Sequence, residues 1–458
     1  MAVCIANKAF WVLSIPFAVA LILLYIYALD KLMLFIIFAT PLAIEYKNPD
    51  FQIGFSLPTE PLMFGIMLLF FLRLLYEGKM DKKILKHPIT IALIINLVWI
   101  FITCLTSTLP LVSFKFLLAR LWFVTTFYFY GILLFKKFSN IRKMLWLSII
   151  PLTGVIIYTI IMHAQNGFDE ESAHWVMWPF YRDHTVYGAI LALFFPAVVG
   201  LTFSKATSTI SKIGSWCILG VFVVGLILSY TRAAWLGLSI SLVVFILLLI
   251  KIRFRTILIS VATIIVLFFS FKDQLFMKLE KNRQDSSNNL TEHVQSISNI
   301  SSDASNLERF NRWSCAWRMF KDKPIVGFGP GTYMFKYAPY QFSYEKTIIS
   351  TNNGDNGNAH SEYIGPLAES GILGSLSFIA IAICIIYTAV KLYMRLQNKD
   401  AKMLVMVFLL GLITYFAHGV LNNFLDQDKA AVPFWAFAAA IAAIDIYHSK
   451  TKEVIVEE

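Results

Sequence analysis

Charge is scarce in this chain. Of 458 residues only 15% are Asp, Glu, Lys or Arg, while 58% are hydrophobic. Soluble domains carry about 25% charged residues, so a soluble globular chain is excluded. The five cysteines (Cys4, Cys104, Cys217, Cys315 and Cys384) are scattered and form no CxxC pair, which argues against a disulfide framework and a thiolate metal site. The apolar runs are continuous, not alternating, which argues against a transmembrane β-barrel. Zinc-hydrolase and paired-acid motifs are missing, and Asp303, Asp322 and Asp355 stand alone. "GFGPGTY" has neither the lysine nor the strand–helix setting of a P-loop, and no nucleophile-elbow pattern occurs. The expected cofactor and metal set is therefore none, and energy for any group transfer has to arrive with an activated substrate.

What the chain has is apolar length. Runs long enough to cross about 30 Å of hydrocarbon as helices fall at roughly 8–29, 32–46, 60–77, 89–108, 111–135, 144–163, 184–203, 213–230, 233–251, 254–272, 363–391, 402–421 and 431–447. The second is short and contains Pro41, so it reads as a half-span or a broken continuation of the first. The expected fold is an all-α polytopic integral membrane protein with about 12 transmembrane helices (12 or 13). The first run lacks a small-residue cleavage site and reads as a retained helix. The net charge of +11 needs no nucleic-acid partner, because cytoplasmic loops of membrane proteins are basic. The loops 77–87, 136–143, 251–255 and 391–402 and the tail "HSKTK" share one side by alternation and are assigned to the cytoplasm. The partly acidic 163–175 and the long segment 273–361 then lie outside it.

Three regions follow: transmembrane helices in 1–272, an external loop domain at 273–361, and C-terminal transmembrane helices in 362–458. The loop domain opens with a Ser/Asn-rich stretch. "LERFNRWSCAWRMFKDK" then carries Arg309, Trp313, Trp317 and Phe320 along one helical face. That pattern predicts an amphipathic helix over 307–321 at the membrane surface, its tryptophans at headgroup level. Pro324 stops it, and Gly327, Gly329 and Gly331 permit turns.

Ionisable residues at membrane depth are functional candidates. Arg232 interrupts an apolar stretch long enough for two spans. It either snorkels to lipid phosphate or presents a guanidinium fork to a bound phosphate. Lys115 and Arg120, near the start of the fifth span, either hold a lipid-linked anion or anchor to membrane lipids. Arg182 and His184 open the seventh span, where Asp183 reads as a favourable acid at a helix start. Arg309 and Arg312 sit in the external helix. His360, followed by Ser361 and Glu362, stands between a polar loop and an apolar run; it is either a helix cap or a base. Arg182, Arg232, Arg309 and His360 share the external side and one membrane depth. Arginines there would neutralise a diphosphate leaving group while an imidazole deprotonates an acceptor hydroxyl. Neighbouring cations would keep that imidazole neutral.

Taken in order, three motifs resemble the O-antigen ligase/O-antigen polymerase family: "SYTRAAWLGL", "RFNRWSCAWRMFKDKPIVGFGPGTY" and "HSEYIGPLAESGILG". Ala233 stands where the family more often has glycine. The resemblance covers roughly 180–375 and implies a metal-independent, inverting glycosyltransferase of the membrane C-type class. It would move a glycan from an undecaprenyl-diphosphate carrier to an acceptor, lipid A-core or another glycan or protein, at the periplasmic face of the bacterial inner membrane. Carried over residue by residue, Arg232 and Arg309 match the essential arginines and His360 the base. Arg120, Lys115, Arg182, His184, Arg312 and Glu362 are the expected substrate-binding set. One large external loop beside the histidine favours a ligase for lipopolysaccharide over a polymerase or a protein O-oligosaccharyltransferase. A transporter of lipid-linked sugars is the competing class, but related halves with matching broken helices are not seen.

Overall fold

In the computed structural model, which describes residues 14–48, 53–204, 209–250, 304–346 and 357–449, the long apolar runs are helices. Helices α1 (Ser14–Tyr27) and α2 (Leu29–Ala39) meet at Ala28, and the apolar pair Val19–Tyr27 and Leu29–Leu42 is bent by 110° there. The first two expected spans are this bent pair. Pro41 lies in a closing 3₁₀ turn, Thr40–Leu42. The chain then forms an antiparallel hairpin of β1 (Ile44–Asn48) and β2 (Ile53–Leu57), with Glu45 opposite Ser56. This corrects the purely helical expectation, which gave residues 44–46 to a span. Beyond Pro41 the pattern Ile44-Glu45-Tyr46 alternates with period two, and β2 does the same.

The remaining helices are α3 (Thr59–Glu77), α4 (Pro88–Leu105), α5 (Pro110–Leu134), α6 (Phe138–Gln165), α7 (His184–Phe203), α8 (Thr209–Leu228), α9 (Arg232–Leu249), α10 (Ala304–Asp322), α11 (Gly365–Arg395), α12 (Lys399–His418) and α13 (Asp428–His448). Nine of these are long and apolar enough to cross a membrane among the described residues; the bent α1–α2 pair is a tenth candidate, and the apolar part of α8 is shorter. The expected 12 or 13 is not reached there. The span at 254–272 and the Ser/Asn-rich stretch lie outside the described residues.

Small residues bring three helices into backbone contact where the site lies. α12 packs against both α7 and α9. A Cβ on Gly188 of α7 would come within 2.5 Å of Thr231, one on Gly411 of α12 within 2.4 Å of the Leu193 carbonyl, and one on Gly237 of α9 within 2.8 Å of the Thr414 carbonyl. Larger side chains cannot be admitted without parting these helices, the usual logic of small residues at membrane helix interfaces. The start of α7, the start of α9 and the end of α12 are thereby held together.

α10 lies over the start of α11. Its inner face (Arg312, Cys315, Ala316, Met319) is buried, and Cys315, Ala316 and Met319 share a small core with Phe328, Tyr333, Tyr337, Ala359 and Ala368. The face bearing Trp313 and Trp317 is outside that core; Trp317 is exposed. The glycine loop after Pro324 and the "ESGILG" turn of α11 are two halves of one contact. Phe328 and Gly329 donate backbone N–H groups to the carbonyls of Ala368 (3.0 Å) and Glu369 (2.8 Å), and Ile372 donates to Pro324 (2.9 Å). A Cβ on Gly327 would lie 2.4 Å from the Glu369 carbonyl, and one on Gly371 would lie 2.0 Å from the Ile325 carbonyl. Both glycines have φ near +65°, so only glycine satisfies both space and backbone here.

Candidate functional site

His360 is positioned by the three residues that follow it. Ser361 Oγ accepts from the backbone N–H groups of Tyr363 and Ile364, both at 3.2 Å. Glu362 is buried. Its Oε1 accepts from the Tyr415 hydroxyl (2.7 Å) and the amides of Phe424 (2.9 Å) and Leu425 (3.0 Å), and its own N–H donates to the Gly419 carbonyl (2.8 Å). The Tyr363 hydroxyl donates to the Phe416 carbonyl (2.9 Å). The sequence Ser-Glu-Tyr is thus a clamp fastening the loop before α11 to the end of α12. Glu362 was expected to touch substrate; its carboxylate is instead committed to the protein, because the buried residues Phe424 and Leu425 need an acceptor for their amides.

The clamp holds His360 at φ +46°, a conformation costly for a non-glycine residue and one that clusters at functional sites. Its N–H donates to Asn358 Oδ1 at 2.9 Å. Burial pushes the imidazole down to about 4; the Arg309 and Arg312 cations push the same way, and Glu308 and Asp183 partly oppose them. The sequence reading credited the cations alone, but burial leads. The imidazole is neutral at pH 7 and has a lone pair to accept a proton.

Arg309, on the first half of α10, lies within electrostatic reach of three histidines, His360, His184 and His418, and Asp183 reaches the same three. Asp183 also caps α7, its Oδ1 accepting from the Thr185 and Val186 amides at 2.8 and 3.1 Å. The His184 ring stacks on His174, with centroids 4.2 Å apart. Its Nδ1 is buried with no hydrogen-bond partner among the described residues, an uncommon state for a buried nitrogen. Arg232 opens α9 and is half-buried. On one side of it, Thr231 Oγ1 donates to the His184 carbonyl at 2.8 Å; on the other, the Ala233 backbone lies against the His418 ring. The backbone of Arg232 therefore stands at the junction of His184 and His418.

The other expected residues fall elsewhere. Arg182 turns to the hairpin and forms an ion pair with Glu45, away from the histidine cluster. Glu45 on β1 captures it, and the hairpin was not foreseen. Arg312 is buried; its Nε donates to Glu308 at 2.7 Å and its guanidinium stacks 3.9 Å over the Tyr337 ring. It is a buried packing residue of the α10 lobe that also bears on His360 through its charge. Arg120 lies 5.5 Å from the Phe116 ring and within electrostatic reach of Asp426. Lys115 is exposed on α5. His418, His174 and Glu308 were missed. His418 closes the apolar run "TYFAH" as His360 precedes one, and that was the available signal.

Among the described residues no three His, Cys, Asp or Glu side chains come close enough to share a metal ion. What the arrangement offers chemically is a neutral imidazole beside guanidinium groups, a proton acceptor next to anion-binding groups. Residues 217–379 match the family model described as O-antigen ligase. No curated protein matches the chain. The matched stretch contains Arg232, Arg309, the glycine loop and His360, and supports an activity of O-antigen ligase/polymerase type, with a lipid-linked glycan and an acceptor as partners in general. The match over residues 217–379 supports the O-antigen ligase/polymerase family for this stretch of the chain.

Proposed function

We propose that the protein is an O-antigen ligase-like glycosyltransferase working at the periplasmic face of the bacterial inner membrane. It takes a glycan from undecaprenyl diphosphate and attaches it to lipid A-core or a similar acceptor. His360 removes the proton from the acceptor hydroxyl. The freed oxygen attacks the anomeric carbon opposite the diphosphate, the bond from that carbon to the diphosphate oxygen breaks, and the sugar is inverted. Arg309 and Arg232 meet the charge of the diphosphate in the bound state and more strongly as it leaves. The carrier departs as the lipid diphosphate, and the proton leaves from His360 to water.

The observation that carries this reading is His360 itself: a half-buried neutral imidazole, held in a left-handed conformation by a three-residue clamp, within electrostatic reach of Arg309. A helix cap needs none of these, and His360 makes no cap bond to α11: the turn ahead of that helix is closed by Ser361 Oγ, which accepts from the Tyr363 and Ile364 amides. The test is transfer from a purified lipid-diphosphate glycan to a lipopolysaccharide core by the protein in nanodiscs. Wild type should transfer, and His360→Gln should lose roughly 10²- to 10⁴-fold in rate. Product lengthened without the core acceptor would instead mean polymerisation, and no product in either case would reject the reading.

A further inference from the structure

In "SYTR", three residues precede the arginine, and each is tied to a different place. Ser229 ends α8, its Oγ donating to the Leu226 carbonyl at 2.8 Å. Tyr230 turns the chain with φ +48°, a conformation costly for a bulky residue. Its ring packs edge-on against the buried His163 at the end of α6, with centroids 6.1 Å apart. His163 is itself fixed, its Nε2 lying 2.8 Å from the Asp169 carbonyl. Thr231, 2% exposed, then stands at the N-cap of α9.

Thr231 does not behave as a threonine ordinarily does there. An N-cap hydroxyl accepts from an amide of the first helical turn, but this one makes no cap bond to α9. It donates away from its own helix, to the His184 carbonyl of α7 at 2.8 Å, with the Ser229 carbonyl at 3.0 Å. The side chain fills the notch left by Gly188, where an added Cβ would come within 2.5 Å of its Oγ1 and 2.6 Å of its Cβ. The cap is given up for a bond that fixes the first turn of α9 against the first turn of α7. The body of α9 is held separately, by Gly237 against the Thr414 backbone. What the hydroxyl sets is the placement of the next residue, Arg232.

We infer that Thr231 is a positioning residue whose hydroxyl aims the Arg232 guanidinium by locking the start of α9 to the His184 carbonyl. The inference rests on the glycosyltransferase reading for the task of Arg232, which is to meet a diphosphate. Two substitutions separate it from simple packing. Serine keeps the hydroxyl and loses the methyl; valine keeps the volume and loses the hydroxyl. The valine methyl in place of Oγ1 would meet the His184 carbonyl at 2.8 Å, whereas carbon keeps about 3.3 Å or more from such an oxygen, so the turn has to move. Packing alone makes valine the benign change and serine the harmful one. Positioning reverses that order.

The experiment titrates farnesyl diphosphate calorimetrically into the full-length protein in nanodiscs, with thermal unfolding and transfer kinetics on the same preparations. Arg232→Ala should weaken binding about ten- to hundredfold, the worth of hydrogen bonds to a charged group. Thr231→Val should weaken it about three- to tenfold, part of that worth, and Thr231→Ser should match wild type. In the Arg232→Ala background Thr231→Val should add nothing, because two changes acting through one group are not additive. In transfer, Thr231→Val should lower kcat about tenfold with a smaller rise in KM, since slight misplacement weakens most the contacts made as the diphosphate leaves. If Thr231→Val unfolds early, Thr231→Ala removes the hydroxyl without the clash and carries the same cycle.

A benign valine with a harmful serine, or a valine effect that persists without Arg232, would overturn the inference. So would wild type that binds no farnesyl diphosphate and keeps its kcat in Thr231→Val; His360-dependent transfer in that protein would leave the transferase standing. The expected binding cycle in a protein that transfers nothing would keep the positioning role and overturn the transferase.

Discussion

Removing the Glu362 side chain tests the clamp. In Glu362→Ala, the Tyr415 hydroxyl and the amides of Phe424 and Leu425 lose their common acceptor. All three are buried residues or belong to the buried turn beside them. Each buried donor left unpaired costs about 1–3 kcal/mol, so the substitution should cost on the order of 3–6 kcal/mol after partial relaxation. Glu362→Gln keeps an acceptor oxygen and a near-identical shape. It forfeits only the charge assistance, roughly half the strength of such bonds, and should cost about 1–2 kcal/mol. Thermal unfolding in nanodiscs, followed by intrinsic fluorescence, ranks the three proteins as wild type, then Gln, then Ala. Transfer activity should follow the same order, because His360 loses its placement with the clamp. A Glu362→Ala protein that unfolds at the wild-type temperature but transfers nothing would refute this: the carboxylate would then be touching substrate.

Gly327→Ala should destabilise the lobe by a few kcal/mol, since its methyl would meet the Glu369 backbone at 2.4 Å and its φ is +65°; limited proteolysis of 304–346 should accelerate. With His360 held near 4 against an ordinary 6.5, the unfolded chain takes up a proton that the folded one refuses. Stability is then complete above about pH 6.5 and declines between 6.5 and 4 by at most about 3 kcal/mol. His360→Gln should remove that part of the pH dependence in unfolding measured across this window. Arg309→Lys should recover only part of the transfer lost in Arg309→Ala, because an ammonium cannot offer a bidentate fork; steady-state kinetics on both variants decides it.

Among the described residues the helices from residue 60 onward were legible because each apolar run, by its length, dictates a helix. The hairpin was not: five-residue strands beside a membrane run are masked by its hydrophobicity, although Pro41 marked the break. His360, Arg309 and Arg232 stood out in the sequence as charges expected on one external side, and the structure brings Arg309 within electrostatic reach of His360. Their neighbours were harder to read. Glu362 and Arg312 have the same composition signal as a substrate ligand, and only the three donors on Glu362 and the Glu308 and Tyr337 partners of Arg312 reveal them as internal supports. The ion pair of Arg182 was not legible for a related reason, since its partner Glu45 lies 137 positions away and no local pattern links them.

The most direct measurement is kcat/KM for glycan transfer against pH, for wild type and His360→Gln. This ratio reports the free enzyme's essential base. Wild type should hold its rate well below pH 6.5 and lose it on an acid limb near pH 4, where the His360 imidazole charges. His360→Gln should be slower by roughly 10²- to 10⁴-fold and show no such limb. A His360→Gln protein with near-normal rate and an unchanged profile would contradict the assignment of His360 as the base.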